Sequence, residues 1–249
     1  MNKPSHTSHP RFSVVIPCYN ESAVIEAALL SLKQQDFTGT YEIIVVDNNC
    51  TDDTASKAKN AGVRVVVEKN AGVCWARQKG TESAQGEIII SADADSTFNK
   101  NWLSRIDEKF RSDPSVVAVT GPFRYENGPF WAIYADALFG FANSIYKLTG
   151  WVLYAPGANT AFKKSAWEGY NTVMTQYGDE VDLLRKLRRK GKVVFNSRPV
   201  VMTSPRRLKK GLIYNLFVSL LFYSFLEYNL NRIFKRRFFG QAPAFRDGS

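Results

Sequence analysis

Short apolar runs alternate with longer amphipathic stretches through the first third of the chain. Phe12-Ser-Val-Val-Ile16 reads as a buried strand stopped by Pro17, and Glu42-Ile-Ile-Val-Val46, Val63 to Val67 and Glu87-Ile-Ile-Ile90 repeat the pattern. Between them, Ser22 to Gln35 places Val24, Ile25, Ala28, Leu29 and Leu32 at helical spacing, with Asn20 or Ser22 as its N-cap. Thr51 to Ala61 forms a second predicted helix stopped by Gly62, and Val73 to Ala84 a third ended by Gly86. Strands that are apolar throughout and alternate with helices imply right-handed crossovers. The expected fold is therefore α/β, a mostly parallel twisted sheet with helices on both faces.

The remainder is less regular. Trp102 to Arg111, Phe130 to Leu148 and Glu180 to Lys190 have helical spacing, Ser115 to Gly121 and Lys192 to Phe195 read as strands, and Leu212 to Phe234 is a long apolar helix candidate. A length of 249 residues suits one large domain with an appendage. Residues 1–10 read as a disordered tail without the apolar core of a leader, so the expected location is the cytoplasm. Three cysteines fit neither a disulfide scaffold nor a metal motif, and small buried thiols are the expectation. The net charge of +10 points to an anionic partner: nucleotide phosphates, nucleic acid or an anionic membrane surface.

Ligands of open α/β sheets bind beyond the carboxyl ends of the strands. The polar punctuation falls there: Pro17-Cys-Tyr-Asn-Glu21, Asp47-Asn-Asn49, Glu68-Lys-Asn-Ala-Gly72 and Ser91-Ala-Asp-Ala-Asp95. Asp93 and Asp95 sit in one loop, where their mutual repulsion suits Mg²⁺ or Mn²⁺ shared with diphosphate oxygens. A solvated acidic turn is the plainer alternative. Neither a G-x-x-x-x-G-K-[ST] loop nor a G-x-G-x-x-G fingerprint is present. The two histidines, His6 and His9, lie in the tail, which leaves carboxylates and a metal to carry any chemistry.

Six segments together resemble a family 2 glycosyltransferase of the GT-A fold. They are Val14-Val-Ile-Pro-Cys-Tyr-Asn-Glu21, Ile44 to Thr54, Asn70-Ala-Gly72 with Ala76, Arg77 and Gly80, Asp93-Ala-Asp95, and Gly157-Ala-Asn-Thr-Ala-Phe162 with Gly178-Asp-Glu-Val-Asp-Leu183 further on. The resemblance implies an inverting transferase that uses a nucleotide diphosphate-sugar (UDP-, GDP- or dTDP-linked) and a divalent metal. It places Pro17, Tyr19 and Glu21 beside the base and ribose, Asp47 on the base and Arg77 near the nucleotide. It puts Asp95 on the metal and diphosphate, and Asp93 toward the ribose. Glu180 aligns with the acid that acts as base in the family, with Asp179 the second choice. Asn48 stands where the family often has a second acid. The implied domain runs from 11 to 205, with a nucleotide-binding half (11–98) and an acceptor half (99–205), followed by a basic and apolar segment (206–249).

Arg206 and Arg207 suit a bidentate clamp on diphosphate oxygens, or else belong to a basic patch with Lys209 and Lys210. Leu212 to Phe234, flanked by basic clusters, reads as an interfacial anchor on the inner face of the cell membrane, which suggests a lipid-linked hydroxyl acceptor, or else as an ordinary core or dimer helix. The aromatic segment Phe130 to Tyr154 suits contact with lipid or an apolar acceptor, or plain packing. Arg185, Lys186, Arg188, Arg189 and Lys190 crowd one helix without a recognition motif, so no specific nucleic-acid partner is expected. Two other classes compete. A nucleotidyltransferase of similar architecture would carry a Gly-rich basic loop where Pro17 to Glu21 stands. A basic RNA- or membrane-binding module would not need Asp93, Asp95 and Glu180.

Overall fold

The computed structural model describes residues 9–172 and 179–214, together with 217, 230, 233 and 234. The tail before residue 9, the side chain of Arg207 and most of the predicted helix Leu212 to Phe234 lie outside these residues.

The expected alternation is present. It runs β1 (Phe12–Cys18), α1 (Ile25–Lys33), β2 (Tyr41–Asp47), α2 (Thr54–Asn60), β3 (Arg64–Val67), α3 (Val73–Ser83) and β4 (Ile88–Ser91). The second half adds β5 (Ser96–Phe98), α4 (Trp102–Ser112), β6 (Val116–Thr120), β7 (Phe123–Tyr125), α5 (Tyr134–Thr149), β8 (Thr160–Lys163), α6 (Asp179–Arg188), β9 (Lys192–Phe195) and β10 (Val201–Thr203). Seven strands form one sheet in the order β3-β2-β1-β4-β8-β6-β9, in which β8 alone runs antiparallel to its neighbours. The strand order reverses between β1 and β4, the crevice where such sheets place their ligands.

Alternate residues of the central strands feed two cores. Val14, Ile16, Val45, Ile88 and Ile90 face a layer that includes Ile25, Leu29 and Leu32 of α1 and Trp102, Leu103 and Phe110 of α4. Val15, Ile44, Val46 and Ile89 face the other, with Ala76 of α3 and Leu183, Leu184 and Leu187 of α6. Burial on both faces is why these strands read as unbroken apolar runs. A Cβ on Gly80 would lie 2.9 Å from Val46 Cγ2 and closer still to Val15 Cγ1, so only glycine lets α3 sit this near the sheet.

Two local expectations need correction. Pro17 does not stop β1, which continues to Cys18. The β1–β4 pairing ends at Val15, so Pro17 is paired with β2 alone and its missing N–H breaks no central ladder. Neither Asn20 nor Ser22 caps α1, whose N-cap is Val24 with no side-chain hydrogen bond. Asn20 instead adopts a left-handed conformation (φ 54°), and its side-chain oxygen accepts from the Thr51 N–H at 2.8 Å.

A small second sheet, β5-β10-β7, was not anticipated. Its strands are three residues long, below the length at which an apolar pattern is visible. It matters because β10 pairs antiparallel with β5, opposing Thr203 to Ser96 and so bringing the chain after β10 back to Asp95. Asn159 ties the two sheets together. Its side-chain oxygen accepts from Trp102 Nε1 at 2.9 Å, and its amide donates to the carbonyls of Pro122 (2.8 Å) and Pro199 (2.6 Å).

Candidate active site

The ends of β1, β2 and β4 open onto one rim. Asp47 closes the turn after β2 by accepting from the Cys50 N–H at 2.9 Å, and the Asn48 N–H donates to the Cys18 carbonyl at 2.9 Å. Tyr19 stands exposed beside this turn, while Pro17 is half-buried in β1. The Asn48 amide donates to the carbonyls of Glu68 (2.8 Å) and Asn70 (2.7 Å), and its oxygen accepts from the Gly72 N–H at 2.9 Å. A carboxylate has no donor for those two carbonyls. Asn48 thus staples the loop that leads into α3.

That helix carries Arg77 into the interior. Its guanidinium is buried and pairs with Asp179 through Nη1, with Asp93 through Nη2 at 3.2 Å, and with Glu180 at 3.9 Å. The residues that follow β4 and the first turn of α6 are therefore held by one cation. Burial alone would lower the Arg77 pKa, but the charges of Asp179, Asp93 and Glu180 outweigh it and hold the guanidinium well above its usual value. Gly157 makes room for this group, because a Cβ there would lie 2.7 Å from Arg77 Cζ.

A second cluster lies two residues further along the β4 loop. Arg206 donates from Nη1 and Nη2 to the two carboxylate oxygens of Glu21, at 2.6 and 2.8 Å, and its Nη2 also pairs with Asp95 Oδ2 at 2.9 Å. Thr203 Oγ1 reaches Asp95 Oδ1 at 3.4 Å, and the Ser204 N–H donates to the Asp95 carbonyl at 3.1 Å. Asp93 and Asp95 consequently have separate partners, and two arginines supply the counter-charge that the sequence assigns to a metal. Neither Thr203 and Ser204 nor Gly157 was assigned a role from the sequence, although Gly157-Ala-Asn159 is a legible motif.

Among the described residues no three His, Cys, Asp or Glu side chains converge as a metal cage. A hard divalent cation bound mainly through phosphate and water needs only one or two carboxylates. The Asp95 carboxylate, at the mouth of the β1–β4 crevice, fits such a shared site.

Glu180 differs from its neighbours. Burial, then the adjacent Asp179 charge, push its carboxyl from the ordinary 4.5 up to about 8, against the pull of Arg77. A carboxyl there changes charge close to neutral pH, and its ionised fraction can accept a proton. The cysteines are chemically quiet: burial raises the thiols of Cys18 and Cys74, and raises that of Cys50 to about 11. The basic residues of α6 and just after it have partners, some within the helix and some outside it. Arg185 and Lys186 pair with Asp182, Arg188 lies 4.7 Å over the Trp151 ring, and Lys190 pairs with Glu168.

The same fold occurs in enzymes of the GT-A class. The mannosyltransferase PcManGT from Pyrobaculum calidifontis, solved with GDP-Man and Mn²⁺, superposes with a TM-score of 0.71 at 21% identity, covering 95% of this chain and 67% of that one. TarS 1-349 of S. aureus, solved with UDP, gives 0.63 at 21% identity, covering 90% and 72%. Residues 13–170 match glycosyl transferase family 2, and the chain belongs to that family. Poly-beta-1,6-N-acetyl-D-glucosamine synthase of Staphylococcus aureus (strain COL) is 32% identical over 165 residues, which are 61% of this chain and 39% of that protein. The chain thus spans about two fifths of the length of such curated relatives.

The Glu180 environment has a measurable consequence. Between the ordinary glutamate value and about 8, the folded chain keeps a proton that the unfolded chain has lost, so this group makes stability fall as pH rises through that window. Glu180→Gln removes the dependence. Its melting temperature relative to the parent should be highest near about pH 8, with the gain shrinking toward about pH 5. A difference that does not vary with pH contradicts the raised carboxyl.

Proposed function

We propose that the protein is an inverting glycosyltransferase that moves a sugar from a UDP-, GDP- or dTDP-linked donor to a hydroxyl acceptor during synthesis of a cell-surface glycan or glycolipid. The carrying observation is that Arg77 gathers Asp93, Asp179 and Glu180 at the β1–β4 crevice of a family 2 chain. Family membership supports this reading over a nucleotidyltransferase or a non-enzymatic basic module. The relative from S. aureus, named as a polysaccharide synthase, supports the acceptor class.

Each residue has a role in this reading. Pro17, Tyr19, Glu21 and Asp47 line the base and ribose, Asp93 turns toward the ribose, and Arg206 with Arg207 meets the diphosphate. Asp95 holds Mg²⁺ or Mn²⁺, which when bound stabilises the charge developing on the leaving diphosphate. Glu180 accepts the proton of the acceptor hydroxyl as its oxygen bonds to the anomeric carbon and the bond from that carbon to the diphosphate oxygen breaks. Asp179, fastened to Arg77, positions Glu180 rather than taking the proton.

Two substitutions separate donor binding from chemistry. Asp95→Asn should abolish metal-dependent binding of UDP, GDP and dTDP with the fold intact. Glu180→Gln should lower turnover by about 10²–10⁴-fold, the usual worth of a positioned base, with donor binding retained. An active Glu180→Gln beside an inactive Asp179→Asn would reverse the two roles.

The acceptor is membrane-proximal in this reading, and the protein lies on the inner face of the membrane. Among the described residues no helix is long and apolar enough to cross a bilayer. The turn before α5, that helix and the residues after it expose Phe130 (92%), Ile133, Leu138, Phe141, Leu148 (82%) and Trp151, a surface costly to leave in water. Exposed Lys209 and Lys210 add charge suited to anionic lipid. Vesicles containing anionic lipid should retain the protein, with partial release in high salt and full release in detergent. A protein that ignores such vesicles and stays monodisperse without detergent contradicts the membrane assignment.

A further inference from the structure

We infer that Arg206 is a displaceable counter-ion of the Asp95 site, which keeps a divalent cation out until a nucleoside diphosphate arrives to take the guanidinium. The inference rests on the reading of Asp95 as the metal-holding residue.

The contacts are direct. Arg206 bridges Glu21 and Asp95, and all three side chains are about nine-tenths buried. Asp95 Oδ2 is already committed to Arg206 at 2.9 Å. A divalent cation and a guanidinium on one carboxylate oxygen repel each other, so the two compete for Asp95. Competition lowers the cation's apparent affinity by the fraction of time Arg206 is away.

Arg206 is also placed to move. It lies on a short turn, Pro205 to Lys210, directly after β10, with its backbone N–H donating to Ser204 Oγ at 3.3 Å. The turn borders a cavity of about 460 Å³ lined by Trp131, Ser204, Arg206, Leu208 and Lys209 among others. Diphosphate oxygens offer a guanidinium the bidentate pairing it makes with carboxylates. The nucleotide therefore converts Arg206 from a competitor of the metal into a ligand of the shared complex. Metal and nucleotide then bind with positive coupling, which must be reciprocal.

The test is calorimetric titration of Mn²⁺ alone, then of Mn²⁺ with saturating UDP, GDP or dTDP, into the full chain and its variants. The parent should bind Mn²⁺ weakly alone. Arg206→Gln should bind Mn²⁺ alone about tenfold more tightly or better, the scale of removing one charge a few ångströms away, while its gain on adding nucleotide shrinks. Lys209→Gln, which removes the same charge nearby without touching Asp95, should not show the rise. Arg206→Lys, whose single ammonium cannot span Glu21 and Asp95 together, should fall between, and it decides the matter if the Gln variant does not fold. Unchanged or weaker binding of Mn²⁺ alone in the Arg206 variants overturns the inference, as does an equal rise in Lys209→Gln. If Asp95→Asn binds Mn²⁺ and nucleotide like the parent, the assignment of the metal to Asp95 fails instead.

Discussion

Arg77 puts one positive charge where the buried Asp179 and the partly exposed Asp93 and Glu180 would otherwise face one another. A buried ion pair of this kind adds little net stability, since desolvating its members costs about what their attraction returns. Its effect is on geometry. Asp93 follows the central strand β4, while Asp179 and Glu180 begin α6, more than eighty positions later in the chain. Removing the cation leaves the buried Asp179 without its partner and close to two further carboxylates, a repulsion that is relieved by moving α6 away or by taking up protons. The close seat of α3 on the sheet at Gly80, and the space left at Gly157, both serve to bring this one guanidinium to its place.

The two arginine clusters differ in what surrounds them. Arg77 sits between a helix face and the sheet, and its side chain is only 6% exposed. Arg206 sits on a short turn beside a cavity, reached through the pairing of β10 with β5. One cluster is closed in on all sides, and the other is the one we infer to exchange partners. Because Asp93 and Asp95 are two residues apart, the static cluster holds the loop on which the exchanging cluster works. In the proposed reading, the end of one strand carries both the proton-accepting side of the site and its phosphate side.

Much of this was legible in the sequence. The strands β1, β2 and β4 are visible because they are buried on both faces, and each ends in polar residues that the sheet topology then collects at one rim. Asp93, Asp95, Arg77, Asp179 and Glu180 were all named from motifs and family resemblance. Their mutual pairing was not, because Arg77 and Asp179 meet across a hundred intervening positions and nothing local records the contact. The strands β5, β7 and β10 were missed because three residues carry too little pattern to separate a strand from a loop, and β8, Thr160-Ala-Phe-Lys163, because it has one large apolar residue where β3, β4 and β9 have two or more. Missing β10 hid the return of the chain to Asp95, and so left Arg206 balanced between a diphosphate clamp and a surface patch. Pro17 misled for a related reason: a proline ends a strand only where a neighbour needs its N–H.

The central claim is that Arg77 and Asp179 form one buried unit that fixes α6 against the end of β4. A double-mutant cycle of Arg77→Met and Asp179→Asn, read by chemical denaturation at neutral pH, tests it most directly. Arg77→Met alone should be strongly destabilising because it strands buried charge, and the double variant should recover part of the loss. The coupling should reach about 2 kcal/mol or more, within the range found for residues that share a buried network. Effects that add to within about 0.5 kcal/mol, as they do for independent sites, would contradict the account.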